Sequence, residues 1–292
     1  MKLLYVASFA ACVLLWSCQT GGYAPDTTVA VGTFNIEWLG DGVDDQKPRT
    51  DPDYLLIADV IARMNVDVLG VQEIENEQAL QRVLRYLDGY TGFVANGGTK
   101  QNVGVIHRKT VDVRNVGLYQ PLTIGKKGMR PGLIVECKKG SFDWIMMVVH
   151  LKSTSRYDST NALREESRQI RSAQVELLSA WSDSVVAAGK EKDVMLVGDF
   201  NDATNKRQQA TLTALMNNTT MQFVTGGMKS CRNPQWNTID QVVVSKSAHD
   251  RFIKGSEYME DLKGFLPAES VAAISDHCPV IVRFRTNAPD ND

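Results

Sequence analysis

Two stretches decide the reading: Ile274-Ser275-Asp276-His277-Cys278-Pro279-Val280 and Val194-Met195-Leu196-Val197-Gly198-Asp199-Phe200-Asn201. Each sets acid-plus-imidazole or acid-plus-amide chemistry directly against a short apolar run, and such a run reads as a buried strand. A buried strand end is a costly place for an unpaired carboxylate, because charge taken from water either destabilises the fold or shifts its pKa. The arrangement recurs at Phe34-Asn35, Gln72-Glu73, Val149-His150 and Ile239-Asp240. Its recurrence predicts one shared polar site built around a metal.

Outward from these ends, strands and helices alternate without a linker from Val29 onward. Strands are expected at Val29–Phe34, Val66–Gln72, Asn102–Ile106, Val111–Leu118, Gly132–Cys137, Phe142–Val149, Asp193–Val197, Ile239–Val244 and Pro279–Phe284. Asp51-Pro52 reads as a helix start, with Asp as cap and Pro at the first helical position. Ile57, Val60, Ile61 and Met64 then form one apolar stripe, as do Leu80, Val83, Leu84 and Leu87. A long helix is expected from about Asn161 to Val186, with Ile170, Ala173, Leu177 and Trp181 inward, and a shorter one near Gln208–Met216. Runs of strands with a few amphipathic helices predict an α/β fold in which two sheets pack face to face with helices outside.

The chain has 292 residues and a formal charge of −2, with both signs spread along it. There is no whole-protein basic field, so a nucleic-acid partner would be held by local basic loops. At the N-terminus, Met1-Lys2 precedes an apolar stretch from Leu3 to Trp16 and then Ser17-Cys18. This reads as a secretory signal over residues 1–17, too short to span a membrane. Leu15-Trp16-Ser17-Cys18 resembles a bacterial lipobox, which makes Cys18 the lipidated first residue of an exported, envelope-anchored lipoprotein. Trp16 departs from the small residue usual there, and cleavage near Ala24 to give a soluble exported protein is the alternative. Residues 18–28 read as a tether, 29–286 as one domain, and 287–292 as a polar tail. Cys137, Cys231 and Cys278 form an odd set without CxxC spacing, which argues against zinc and against a disulfide framework while leaving room for one bridge. Cys137 and Cys278, in or beside strands, are expected to act as small apolar residues.

A single Glu at a strand end is ordinarily where the chain meets water. Glu73, Asp199, Asp240 and Asp276 all share that placement, and several carboxylates near one point repel unless a hard divalent cation holds them ionised. Mg²⁺ or Mn²⁺, which take oxygen ligands, suit this set better than zinc. Of four histidines, His107 and His249 have bland contexts. His277 stands in a tight Ser-Asp-His-x-Pro frame, and an imidazole beside a metal-bound phosphate can orient water or hydrogen-bond a phosphoryl oxygen.

Taken in order, Phe34-Asn35-Ile36, Gln72-Glu73, Gly198-Asp199-Phe200-Asn201, Ile239-Asp240 and Ser275-Asp276-His277 resemble the endonuclease/exonuclease/phosphatase family of deoxyribonuclease-I-like phosphodiesterases, from Val31 to Phe284. The resemblance implies a four-layer α/β sandwich of two mostly antiparallel sheets and metal-dependent hydrolysis of phosphate esters. It implies Glu73 as principal Mg²⁺ ligand with Asn35 beside it and Asp276 as a second carboxylate. Asp199 would orient or deprotonate the attacking water, and Asn201 would donate to phosphoryl oxygens. Asp240 and His277 would form a dyad, and His150 would stabilise or protonate the leaving oxygen. Glu37, two residues after Asn35, would support the site from behind.

Two features depart from relatives. The Tyr-x-Pro-Asn segment of abasic-site repair endonucleases is absent, with His150 in its place. No carboxylate stands ready to pair with His150, since Gln101-Asn102-Val103-Gly104 offers only amides. Lys126, Lys127, Arg130, Lys152 and Arg156 cluster in loops beside site-bearing strands, and Arg130 and Lys152 are expected to touch substrate phosphate. The expected function is that of an exported monomeric phosphodiesterase cutting DNA or RNA by in-line water attack. A sphingomyelinase-like or small phosphate-ester hydrolase, and a non-catalytic surface binding protein, are the alternatives.

Overall fold

The computed structural model describes residues 27–290, so the signal segment, Cys18 and nearly all of the tether lie outside the described residues. Twelve strands form two six-stranded sheets. The first contains β1 (Thr28–Leu39), β2 (Val68–Ile74), β3 (Tyr90–Val94), β4 (Asn102–Arg108), β11 (Tyr258–Met259) and β12 (Val280–Arg285). The second contains β5 (Asp112–Tyr119), β6 (Gly132–Lys139), β7 (Phe142–His150), β8 (Val194–Asp199), β9 (Met221–Phe223) and β10 (Asp240–Ser245). Their orders are β11-β12-β1-β2-β4-β3 and β5-β6-β7-β8-β10-β9. In each sheet only the central pair is parallel, β1 with β2 and β7 with β8. A parallel pair needs a long crossover. The two crossovers carry α1 (Asp51–Met64) and α3 (Asn161–Ala188).

Period-two alternation sorts each strand's side chains into layers. From β1, Val29 and Val31 enter the core between the sheets, with Val68, Val105, Val148, Val197 and Val282. Ala30, Phe34 and Ile36 face the other way, onto α1 and α2 (Glu77–Leu84). In the second sheet Met146 and Val148 point inward, while Met147 and Val149 pack outward against Val175, Leu178 and Trp181 of α3. Three apolar layers between two sheets and two sets of helices make the four-layer sandwich.

Several expectations shift. Thr50, not Asp51, caps α1, and its backbone N–H and hydroxyl both donate to Asp53 at 2.7 Å. On α3 the inward face runs through Ile170, Gln174, Val175, Leu178 and Trp181, with Ala173 and Leu177 at its margin. Gln174 is buried because its side chain bridges two loops, donating to Leu122 O and accepting from Lys152 N–H. A polar residue thus holds the position that an apolar count gives to its neighbour. The helix near 208–216 contracts to α4 (Thr213–Met216), because Thr211 turns inward to donate to Asp202. Strands β3, β9 and β11 and helices α5 (Lys246–Arg251) and α6 (Ala268–Ile274) are too short to carry a periodic signal. Thr28 already belongs to β1, and the carbonyls of Ala288 and Pro289 are held by Arg251, so both ends of the described segment pack closer to the domain than expected. Cys278 is disulfide-bonded to Cys231, whereas Cys137 is the buried free thiol. Pairing across 47 residues leaves no trace in local spacing.

Candidate active site

Register brings the functional side chains to one rim. Asn35 pairs with Gln72 at the register shift of β1, which sets it beside Glu73 near the end of β2, while His150 and Asp199 end β7 and β8. His150 stands opposite Asp199, and Asp240, first residue of the antiparallel β10, stands opposite Asp199 on its other side. His277 arrives from the turn that feeds β12. Ligand sites outside the carboxyl ends of strands are a general property of such sheets.

The backbone is bent to serve this rim. β1 and β2 both slip register just past the site, and Glu37, Trp38 and Glu73 adopt left-handed conformations with φ of 46°, 55° and 62°. Bulges of this kind re-aim side chains, and left-handed non-glycine residues persist only where their surroundings hold them. Here Trp38 N–H donates to Glu73 Oε2 at 3.1 Å. Gly198, with φ of 151°, is required before Asp199, since a Cβ there would lie 1.9 Å from Val149 O.

Asp199 is the hub. Asn35 Nδ2 donates to its Oδ2 at 3.1 Å and to Glu73 Oε1 at 3.2 Å, and Asn201 N–H donates to its Oδ1 at 2.8 Å. The Nε2 atoms of His150 and His277 lie 3.6 and 3.7 Å from Oδ2. Burial pushes the Asp199 carboxyl up to about 7; His277 opposes that rise and Asp240 adds to it. The Asp240 carboxylate meets His277 Nδ1 at 2.9 Å. Burial alone would depress His277, but Asp240 and Asp199 outweigh it and raise the imidazole to about 10. His150 differs: burial, then Arg130 and His277, hold it well below its ordinary value and hence neutral. Its buried Nδ1 has no partner among the described residues.

Other residues sit differently from their expected roles. Asn35 stands beside Glu73, but its Oδ1 accepts from Glu37 N–H at 2.9 Å, so it turns an amide nitrogen rather than an oxygen to the site. Asp276 is half-exposed, with Oδ2 paired to Arg232 at 2.6 Å and Oδ1 3.7 Å from His277 Nε2, so it borders the site through His277. Lys47 pairs with Glu37 Oε2, which also accepts from Asp276 N–H at 2.9 Å, and so Glu37 ties the His277 turn to β1. Arg130 is buried rather than offered to a phosphate: it donates to the carbonyls of His150 and Leu151 and to Gln101. Lys152 Nζ is satisfied by Ser153 O at 2.6 Å, and Lys126 by Glu166. Asn201 Nδ2 donates to Leu151 O at 3.1 Å. A basic residue in a loop carries no sequence mark of whether it meets solvent or buried carbonyls.

Arg49 escaped the sequence reading. Its buried guanidinium donates to the carbonyls of Ile36, Glu37, Trp38, Ala273 and Ile274, which clamps the end of β1 to the turn bearing His277. Ser275 Oγ adds a bond to Asn35 O. Nothing in the sequence marks Arg49, because its partners are backbone carbonyls distant in the chain.

The donor set fits a hard divalent cation. Two carboxylates, Glu73 and Asp199, turn oxygens toward one space, where Asn35 Nδ2 bridges them. Asp240 lies near enough to join a metal cluster with Asp199 and His277, but it is already committed to the imidazole. Cys278, beside His277, is locked in a disulfide, so among the described residues no thiolate is offered and the carboxylates favour oxygen-seeking ions over zinc.

The sequence matches the model described as the Endonuclease/Exonuclease/phosphatase family over residues 32–277. No curated protein matches it. Among solved structures the fold is shared with TDP2 from Caenorhabditis elegans, at 19% identity and a TM-score of 0.64 over 88% of this chain and 97% of that one. It is also shared with D. rerio TDP2 complexed with single-strand DNA product, at 16% identity and a TM-score of 0.61 over 89% and 99%. The mannosyl-6-phosphatase Bt3783 of Bacteroides thetaiotaomicron aligns at 16% identity and a TM-score of 0.59, over 87% and 98%.

Proposed function

We propose that this chain, which belongs to the endonuclease/exonuclease/phosphatase family of metal-dependent phosphoric ester hydrolases, is a Mg²⁺-dependent phosphodiesterase acting on nucleic acid. The observation that carries the reading is the placement of Asp199. It lies between two imidazoles and faces Glu73, with a carboxyl raised to about 7, the range a general base needs at neutral pH. Bound at Glu73, Mg²⁺ would supply positive charge to a phosphoryl oxygen. Asp199 orients water for in-line attack and takes its proton. His277, held as an imidazolium by Asp240, donates from Nε2 to the phosphate. His150, neutral, donates from Nε2 toward the leaving oxygen, and the second N–H of Asn201 is available to another phosphoryl oxygen.

A DNA-bound neighbour supports the nucleic-acid class, and a sugar phosphatase of the same fold keeps a small phosphate ester as the second reading. Export as a lipoprotein through Cys18 is part of the proposal, supported by the Cys231–Cys278 bridge, since disulfides persist in oxidising compartments. The test is a panel of plasmid DNA, single-stranded DNA, RNA, sphingomyelin and hexose 6-phosphates under one Mg²⁺ concentration. Cleavage of nucleic acid that stops on chelation is expected. Turnover of the monoesters alone would transfer the protein to the second reading.

A further inference from the structure

We infer that Arg171, buried in α3, is a positioning residue: it holds the chain where it leaves β7 and so sets the place of the His150 imidazole. The inference rests on the hydrolase reading, in which His150 donates toward the leaving oxygen.

Arg171 is 2% exposed and shares the buried face of α3 with Gln174 and Val175. A guanidinium taken from water is costly unless its donors are met. Burial pulls it below the ordinary arginine value, and Asp202 and then Asp199 oppose that fall. A methionine would fill much of the same space without the penalty, so packing alone gives no reason for the charge.

The reason lies in what the guanidinium grips. Nη1 donates to Lys152 O at 2.6 Å, and Nε donates to Thr211 Oγ1 at 2.8 Å. Thr211 passes the link on, since its hydroxyl and its N–H both donate to Asp202 Oδ2, at 2.7 and 2.8 Å. Lys152 follows His150 by two residues, and Asp202 follows Asn201 directly. The relay from Lys152 through Arg171 and Thr211 to Asp202 therefore ties the exit of β7 to the exit of β8. The same two exits also meet directly, through Asn201 Nδ2 and Leu151 O.

Lys152 is held on both sides of its backbone. Its N–H donates to Gln174 Oε1 at 2.9 Å, one turn along α3 from Arg171. Of these two α3 side chains, Arg171 alone also reaches the β8 exit. His150 Nδ1 has no partner among the described residues, so the ring is placed by its backbone rather than by a second ring bond. Displacing such a group by about 1 Å costs up to about 10²-fold in rate, which gives the buried charge its use.

The test compares Arg171→Met with Thr211→Val, which breaks the same relay and leaves Arg171 in place, both in the full chain. Histidine ring NMR, with the His150 signal assigned by His150→Gln, needs no turnover. That signal is expected to shift or broaden in both variants while those of His107 and His249 stay put. On a single-stranded oligodeoxynucleotide with Mg²⁺, Arg171→Met should lower kcat by about 10–10²-fold and leave KM within about twofold. Bis(p-nitrophenyl) phosphate, whose leaving group needs little help, should lose far less. In a His150→Gln background the same substitution should cost less than about twofold more. An unmoved His150 signal, equal losses on the two substrates, or a full loss in the His150→Gln background would each overturn the role. Thr211→Val carries the same readouts if Arg171→Met does not fold. Cleavage of neither substrate by the unsubstituted chain sinks the hydrolase reading, and the NMR comparison still decides whether Arg171 places His150.

Discussion

Asp199 is kept at a cost to the fold. Burial raises its carboxyl to about 7, so the ionised form is destabilising wherever the site lacks a cation. Asp199→Asn is therefore expected to lower turnover of bis(p-nitrophenyl) phosphate by about 10²–10⁴-fold while leaving Tm in chelator unchanged or higher. A variant that loses Tm along with activity would contradict the role, because it would mark Asp199 as structural. The neighbouring dyad titrates in a definable window. His277 is raised to about 10 by its carboxylate partners, so its contribution to stability is complete below its ordinary value near 6.5 and is lost as pH climbs toward 10. In chelator, urea-unfolding stability should decline over that interval, and Asp240→Asn should flatten the decline. An identical pH profile in the variant would refute the ion pair. At this scale the sequence was informative where chemistry adjoined an apolar run: Asp199, Asp240 and His277 announce themselves. Arg130 and Lys152 were misplaced because a charged residue in a loop does not disclose its partner, and the Arg232 partner of Asp276 was unreadable for the same reason. Arg49 was invisible because its role lies in backbone carbonyls contributed by β1 and by the end of α6.

Among the elements, strand ends are what position the site, and strands were also what the sequence disclosed best. Val31, Val68, Val148 and Val197 lie in strands whose alternation was readable, and their register delivers Asn35, Glu73, His150 and Asp199 to one rim. The loop before β10 was not readable, because it owes its shape to side-chain bonds among Asn205, Asn237 and Thr204 and to a bridge between distant cysteines. That bridge closes 47 residues, for which chain entropy sets a contribution of about 4 kcal/mol as an upper bound. Cys231→Ser is expected to lower unfolding free energy by about 1–4 kcal/mol and to reduce turnover, since it releases the residue next to His277. Equal stability and equal turnover in the oxidised protein and the variant would show that the bridge does not hold the turn.

Taken whole, the molecule repeats one layout: two sheets, each with a parallel pair at its centre and antiparallel strands outside it. The active site forms where the carboxyl ends of the two pairs meet, so neither sheet holds it alone. This symmetry is absent from the sequence because strand order, unlike strand presence, is not a periodic property. Charge is also legible only as a whole. The net value is −2, and Lys126, Lys152, Lys206 and Arg232 are bound to partners rather than free for phosphates. Binding of single-stranded DNA should therefore weaken only gently with salt, with a log–log slope shallower than about −2. A slope steeper than about −4 would show that these pairs open to grip the backbone. The role of Glu73 in holding the cation that serves phosphate-ester cleavage is tested by Glu73→Gln assayed across a Mg²⁺ titration. No turnover is expected in chelator, and the half-maximal Mg²⁺ concentration of the variant should be raised about tenfold or more, in line with losses from altered metal sites. Coincident Mg²⁺ curves for the variant and the unsubstituted protein would contradict it.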